Sequence, residues 1–129
     1  MKIEHVAIWT QKLDQLKAFY ETYFGADVST KYVNPGTGFE SYFLRFSSGA
    51  RLELMRNATV ADRPDLAEAQ LPGYAHLAFS VGSKEQVEQL TAELAAAGYR
   101  VASAPRITGD GYFESVVLDP DGNRVEITL

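Results

Sequence analysis

The sequence predicts an α+β fold built from two paired βαβββ modules, and three observations support this prediction. Stretches that alternate apolar and polar residues, as half-buried strands do, flank two segments with apolar residues at helical spacing. The second half of the chain repeats features of the first in the same order. Gly49–Leu54 and Gly122–Ile127 both read G-x-R-aliphatic-E-aliphatic. An internal repeat of this kind indicates two copies of one supersecondary unit.

The first module is expected to begin with a strand over residues 3–10, which places His5, Ala7 and Trp9 on one face. Apolar residues at helical spacing predict an amphipathic helix over residues 13–24, and Gly25 is a natural stop just past its end. The expected strands that follow cover residues 27–32, 39–46 and 51–55.

The second module repeats this plan. The strand predicted over residues 74–81 carries His-Leu-Ala-Phe where the first strand carries His-Val-Ala-Ile, and a helix is expected over residues 84–97. Phe113-Glu114-Ser115 is expected to correspond to Phe39-Glu40-Ser41, one residue out of step. Asp119-Pro120-Asp121-Gly122 is a tight-turn sequence before the last strand. We expect one domain, residues 1–129, with modules at 1–57 and 74–129 and a linker at 58–73.

Composition narrows the function classes. The chain has 129 residues, 46% of them hydrophobic and 22% charged, which is typical of a globular domain. The net charge of −5 and the lack of a basic run argue against nucleic acid as a partner. Cysteine is absent, which excludes disulfides and thiolate chemistry. Neither a signal-like stretch nor a membrane-length apolar run is present, so we expect a cytoplasmic protein with no membrane partner.

The only two histidines of the chain, His5 and His76, occupy equivalent positions in the two repeats, and so do Glu53 and Glu126. If the modules face each other, these four side chains converge. Imidazole and carboxylate are good ligands for divalent zinc, nickel, iron or manganese, and strands hold them rigidly. The alternative is that the histidines are satisfied core residues and the glutamates solvated. We favour the metal site because the residues are paired by the repeat.

The His5, Glu53, His76 and Glu126 set, the paired modules and the Asp-Pro-Asp-Gly turn before the last glutamate together resemble the vicinal oxygen chelate superfamily. Within it the resemblance is to glyoxalase I (lactoylglutathione lyase), and it covers the whole chain. It implies the glyoxalase/bleomycin-resistance/dioxygenase fold, a homodimer and a divalent metal ion, with nickel or zinc foremost. A His-His-Glu set would be more similar to extradiol dioxygenases.

The resemblance also implies a reaction. A 2-oxoaldehyde and a thiol, such as methylglyoxal and glutathione, form a hemithioacetal that is converted to a 2-hydroxyacyl thioester by proton transfer through a metal-bound enediolate. The resemblance makes Glu126 the shuttling base and Glu53 the steadier ligand, although the residues alone do not separate the two catalytic glutamates. It also makes Asn57 a glutathione contact; the alternative is a turn residue at the end of a strand.

Two departures from the glyoxalase I pattern bear on the substrate. Trp9 stands where an arginine would hold a glutathione carboxylate, and residues 108–112 lack the lysine that grips the thiol conjugate. Tryptophan cannot pair with a carboxylate, so Trp9 favours an apolar or ring-bearing substrate, with core packing as the alternative. Two other functions stay open: thioester epimerisation, and metal-free binding of a small aromatic molecule in the manner of bleomycin-resistance proteins.

Overall fold

The computed structural model describes residues 1–61 and 72–129. The chain divides into two compact units, Met1–Pro64 (unit 1) and Asp65–Leu129 (unit 2). The linker predicted over residues 58–73 falls largely on residues outside the described ranges. The described strands and helices form two separate mixed sheets, each with one helix, so the α+β class with two sheet modules is confirmed.

Unit 1 contains one helix and five strands. In chain order they are β1 (His5–Trp9), α1 (Leu13–Phe24), β2 (Asp27–Val28), β3 (Tyr32–Asn34), β4 (Phe39–Arg45) and β5 (Arg51–Arg56). The strand order is β1-β5-β4-β2, and β3 also pairs with β4. Strand β5 therefore lies inside the sheet, with a parallel neighbour, β1, and an antiparallel neighbour, β4.

The sheet of unit 1 has one more strand than the sequence predicts. The stretch expected as a strand over residues 27–32 is interrupted, because the hydroxyl of Ser29 accepts a hydrogen bond from the backbone N–H of Phe43 at 3.0 Å. A side chain thus replaces the main-chain acceptor of the ladder, and pairing with β4 resumes only at Tyr32. Unit 1 therefore follows the predicted βαβββ plan with its second strand divided into β2 and β3.

Unit 2 contains β6 (Leu77–Ser80), α2 (Lys84–Ala96), β7 (Val101–Ile107), β8 (Phe113–Leu118) and β9 (Arg124–Thr128), and its strand order is β6-β9-β8-β7. It follows the predicted βαβββ order. Two first strands are shorter than expected: β1 begins at His5 rather than residue 3, and β6 begins at Leu77, so His76 lies immediately before it.

Each helix covers one face of its own sheet. Helix α1 buries Leu13, Leu16, Phe19 and Tyr20, while Leu52 and Leu54 are buried on β5. In unit 2, Val125 and Ile127 of β9 are fully buried together with Val87 and Leu94 of α2. Full burial of such a side chain contributes about 1.5–3 kcal/mol. The alternate residues of β5 and β9 point to the opposite face of each sheet, the helix-free face.

The helix boundaries follow from capping. Helix α2 begins after Ser83, whose hydroxyl accepts a hydrogen bond from the N–H of Gln86 at 3.2 Å. Helix α1 ends at Gly25, which adopts the left-handed conformation with φ 64° that a residue with a Cβ rarely takes. No helix within the described ranges has the length and apolar character needed to cross a membrane.

Candidate functional site

The first histidine–glutamate pair lies on the helix-free face of unit 1. His5 opens β1 and Glu53 is central in β5, the parallel strand beside it, where Glu53 lies opposite Ala7. The Nε2 atom of His5 is 4.0 Å from the Oε2 atom of Glu53. The side chain of His5 is 42% exposed and that of Glu53 is 15% exposed. The histidine is therefore not a core residue, and the glutamate is not on a solvated edge.

The second pair has the same arrangement in unit 2. Glu126 is central in β9 and lies opposite Ala78 of the parallel strand β6, two residues beyond His76. The Nε2 atom of His76 is 3.4 Å from the Oε2 atom of Glu126. Side-chain exposures of 43% and 17% match those of the first pair. The repeat detected in the sequence thus places histidine and glutamate at the same two positions of the two sheets.

Each pair fits half of a metal-binding site. Two ligand atoms held about 2.1 Å from one ion, at 90–110° to each other, are roughly 3.0–3.4 Å apart. The His76–Glu126 separation of 3.4 Å falls in this range, and the His5–Glu53 separation of 4.0 Å lies above it. Within residues 1–61 and 72–129, no cluster of three or more His, Cys, Asp or Glu side chains is placed to hold an ion.

Glu4 fixes the ring of His5. The Nδ1 atom of His5 hydrogen-bonds the carboxylate of Glu4, which also pairs with the guanidinium of Arg51. These contacts, the hydrogen bond from His5 first, lower the pKa of Glu4. A carboxylate only accepts, so Nδ1 donates a ring proton to Glu4, and Nε2 is the ring nitrogen that faces Glu53. A carboxylate behind a ligating histidine holds the ring in its binding orientation.

Glu126 has a different neighbour. Glu114 on β8 lies on the same face of the sheet, diagonally across from Glu126. Burial raises the pKa of the Glu126 carboxyl; the charge of Glu114 raises it further, and His76 partly offsets this. Glu126 therefore retains a proton more readily than a solvated glutamate does.

The strand register corrects the predicted correspondence between the two tripeptides. Phe43 lies opposite Glu53, and Val116 lies opposite Glu126. The position equivalent to Glu114 is therefore Ser41, not Glu40. Glu40 is one residue out of register and points the other way, where it pairs with Arg56 at 3.1 Å. At this register position unit 2 has a carboxylate, Glu114, where unit 1 has the hydroxyl of Ser41.

Trp9 lies on the same face as His5 and Glu53. It is 51% exposed, which excludes simple core packing, and its ring meets Phe39 edge-to-face at 6.0 Å between ring centroids. Asn57 follows β5 and forms a local turn, in which its side-chain oxygen accepts from the N–H of Thr59 at 3.2 Å. This geometry accounts for Asn57 as a turn residue, and a substrate contact there stays a prediction.

Glu4 and Glu114 are the two site residues that the sequence interpretation missed, and a sequence signal existed for each. Glu4 immediately precedes the first histidine. Glu114 shares a strand face with Val116, and Val116 and Glu126 are each five residues from Asp121, on which the hairpin is centred. Extending that turn into a hairpin register would have placed Glu114 beside Glu126.

Comparisons with known proteins agree with this architecture. A family model described as the Glyoxalase/Bleomycin resistance protein/Dioxygenase superfamily matches residues 2–127. The uncharacterized protein YqjT of Bacillus subtilis (strain 168) is 45% identical over 58 residues. That match covers 43% of this chain and 45% of YqjT, so it extends over less than half of either protein.

Solved structures share the fold. The glyoxalase family protein of Enterococcus faecalis is 26% identical with a TM-score of 0.78, and the match covers 99% of this chain and 97% of that one. Glyoxalase I of Zea mays is 23% identical with a TM-score of 0.80. The match covers 98% of this chain but only 44% of the maize chain. The likeness to the maize enzyme concerns the fold alone.

Proposed function

This chain belongs to the glyoxalase/bleomycin resistance protein/dioxygenase superfamily, and we propose that it is a metal-dependent lyase or isomerase of the glyoxalase I type. Its substrate would be the hemithioacetal of a 2-oxoaldehyde and a thiol, and its product a 2-hydroxyacyl thioester. Methylglyoxal and glutathione are one candidate pair. His5, Glu53, His76 and Glu126 would together hold one divalent ion, nickel or zinc.

The observation that carries the proposal is the duplicated histidine–glutamate pair. Two neutral imidazoles and two carboxylates match the preferences of first-row divalent metals. Each pair has its two donor atoms 3.4–4.0 Å apart and its glutamate largely shielded from solvent. A protein that only sequesters a ligand has no need for two such pairs at equivalent positions. A bound divalent ion would supply Lewis-acid polarisation of the two vicinal oxygens of the substrate.

Glu126 is the base in this proposal, and its surroundings support the assignment. Proton transfer is most effective when the pKa of the catalytic group lies near the working pH. Burial and Glu114 raise the pKa of Glu126 in that direction. Glu126 would take the C1 proton of the hemithioacetal and return it to the neighbouring carbon, and Glu53 would remain a ligand.

Two other functions remain as alternatives. Thioester epimerisation would use the same proton abstraction next to a carbonyl, so only substrate assays distinguish it. Metal-free binding of an aromatic molecule is favoured by one specific observation: Trp9 and Tyr32 are aromatic side chains that are 51% and 55% exposed. Metal retention separates this binding function from the proposed enzyme.

The first test is elemental analysis of the purified protein, before and after chelation and reloading with nickel or zinc. The proposal expects about one ion per set of four ligands, and hemithioacetal isomerase activity that appears with the metal. Loss of the ion in a His5→Ala variant would tie it to this site. Failure to retain metal under any loading would leave the binding function as the better account.

The resemblance to glyoxalase I implies a homodimer, in which the two pairs of one site come either from one chain or from two copies. A second experiment distinguishes these two arrangements. His5→Ala and His76→Ala chains are inactive alone under the proposal. If each site combines pairs from two copies, mixing the two variants creates one intact site per mixed dimer and activity returns. If both pairs belong to one chain, every site in the mixture keeps one defect and activity stays absent.

A further inference from the structure

The helix-free face of unit 1 changes character along its strands. The cross-strand row that holds His5 and Arg51 is charged, and the next row contains Glu53. The row after it, which we call the Trp9 row, is uncharged. Strand register places four residues side by side in this row: Trp9, Met55, Ser41 and Tyr32.

Aromatic contacts through Phe39 join the two ends of the Trp9 row. Phe39 meets Trp9 edge-to-face at 6.0 Å between ring centroids and packs against Tyr32 at 6.1 Å in a tilted arrangement. Trp9 and Tyr32 nevertheless remain half exposed. Aromatic side chains held by each other and open on one side present a rigid apolar surface at low entropic cost.

The Trp9 row is close enough to the proposed metal ligand to contact the same small molecule. Met55, the direct neighbour of Trp9, is two residues beyond Glu53 on β5. Two residues along a strand span about 7 Å. A substrate whose oxygens lie near Glu53 would therefore extend its adjacent substituent over the ring of Trp9.

The charges on this face make an anionic substituent a poor match. Arg51 lies opposite His5 in register, and it is engaged with Glu4 and stacked over the Phe43 ring at 4.2 Å. The Trp9 row offers no cation at all. An apolar ring, by contrast, would be desolvated on packing against Trp9, and no charge would be left unpaired.

We infer that the substrate of the proposed reaction carries an aromatic or similarly flat apolar group, which packs on the Trp9 row while its vicinal oxygens lie at the His/Glu ligands. This inference rests on the proposed function for the second half of the statement only. Packing of a ring on Trp9 is measurable without turnover.

Trp9 is the only tryptophan in the chain, so its fluorescence reports directly on this surface. Mandelate and lactate are suitable probes, because both carry the same vicinal oxygens and only mandelate carries a ring. We expect mandelate to change Trp9 emission and to bind at least ten-fold tighter than lactate. Calorimetry should show that this preference is lost in Trp9→Ala and largely kept in Trp9→Phe.

Turnover provides the second readout. With one thiol and metal-loaded protein, the phenylglyoxal adduct should have a kcat/KM at least ten-fold above that of the methylglyoxal adduct. Trp9→Ala should abolish this preference, mainly through KM. Ile107→Ala, which removes a 63%-exposed apolar side chain from β7 in unit 2, is the matched control and should change neither ratio.

The outcomes separate this inference from the proposed function. Equal kcat/KM values for the two adducts, unchanged by Trp9→Ala, would overturn the ring preference and leave the isomerase intact. Selective mandelate binding without turnover of either adduct would support the ring surface and remove the isomerase. Emission that changes with protein concentration alone, with no response to mandelate, would show that a second copy covers the row, and the inference would fall.

Discussion

The two histidine–glutamate pairs have the same backbone placement and nearly the same exposure, yet their neighbours differ. In unit 1 the histidine is the supported residue, because Glu4 holds its ring. In unit 2 the residue before His76 is Ala75, and the glutamate has the distinctive neighbour: Glu114 lies on its face and raises its pKa. The repeat preserves the positions of the histidine and the glutamate in both units, and the surrounding residues distinguish the two pairs.

The difference continues along the faces. The Trp9 row of unit 1 is aromatic and uncharged, whereas the corresponding row of unit 2 is polar and contains Glu114. Its members by strand register are Ser80, Thr128, Glu114 and Arg106. The repeat therefore provides two equivalent histidine–glutamate pairs. The residues around them differ, so unit 1 has an apolar surface and unit 2 has a carboxyl with a raised pKa. This asymmetry supports the proposal that Glu53 acts as a metal ligand and Glu126 as the base.

The largest expected effect comes from comparing Glu126→Gln with Glu53→Gln. Loss of a general base lowers kcat by about 10²–10⁴-fold, so Glu126→Gln should fall in that range at full metal loading. Glu53→Gln should act mainly on metal affinity and recover much of its kcat at saturating metal. The measurements are steady-state kinetics and metal titration of both variants. Equal kcat losses at saturation would mean that the two glutamates do not have separate roles.

The turns before the two ligand strands offer a second contrast. The buried carboxylate of Asp119 accepts hydrogen bonds from the N–H groups of Asp121 and Asn123, both at 2.9 Å, whereas the matching turn of unit 1 is the exposed Ser47-Ser48-Gly49. Asp119→Ala leaves these donors unsatisfied and should reduce the free energy of unfolding by about 1–3 kcal/mol.

Ser47→Ala is the control for this turn and should stay within about 0.5 kcal/mol of the parent protein. Urea unfolding followed by circular dichroism measures both variants. A loss of the same size in both would show that the ligand strand of unit 2 does not depend on its turn.

Support of His5 by Glu4 predicts an effect on metal binding. Removal of the partner behind a ligating histidine weakens metal affinity by about 10–100-fold, which is the change expected for Glu4→Ala. With only two histidines in the chain, ¹⁵N NMR can assign the tautomer of each ring. Glu4→Ala should release the His5 tautomer and leave His76 unchanged.

The reciprocal variant, Ala75→Glu, places a carboxylate before His76 and should restrict that ring in the same way. A metal affinity that is insensitive to both changes would remove the role given to Glu4.

The sequence patterns predicted one helix and the two histidine–glutamate pairs, but not every strand or neighbouring residue. Period-two and helical patterns, with Gly25 as a stop, predicted α1 over its observed residues, and the repeat identified the two pairs. The division of the predicted strand after Val28 was not predicted, because it depends on the hydroxyl of Ser29 accepting the backbone N–H of Phe43 on β4. Tripeptide similarity equates Glu114 with Glu40, whereas strand register equates Glu114 with Ser41. The position of Glu114 near Glu126 was therefore not predicted, because a shift of one residue reverses the face of a side chain.

The smallest expected effect concerns Glu114 and pH. A carboxyl whose pKa is raised by folding stabilises the protein fully below its unfolded pKa, and this contribution is lost as pH rises through the folded pKa. Metal-free protein should therefore lose stability between acid and neutral pH through the Glu126–Glu114 contact. Glu114→Gln removes the like charge, so it should gain roughly 0.2–1 kcal/mol at neutral pH and nothing below about pH 4.

Glu40→Gln is the matched control, because Glu40 lies on the corresponding strand of unit 1 and pairs with Arg56 instead of facing a carboxylate. It should give no gain at neutral pH. Urea unfolding at the two pH values, with a chelator present, measures both variants. If Glu114→Gln gains equally at acid and neutral pH, its effect is not electrostatic. The pKa of Glu126 would then be raised by burial alone, and unit 2 would differ from unit 1 in shape rather than in charge.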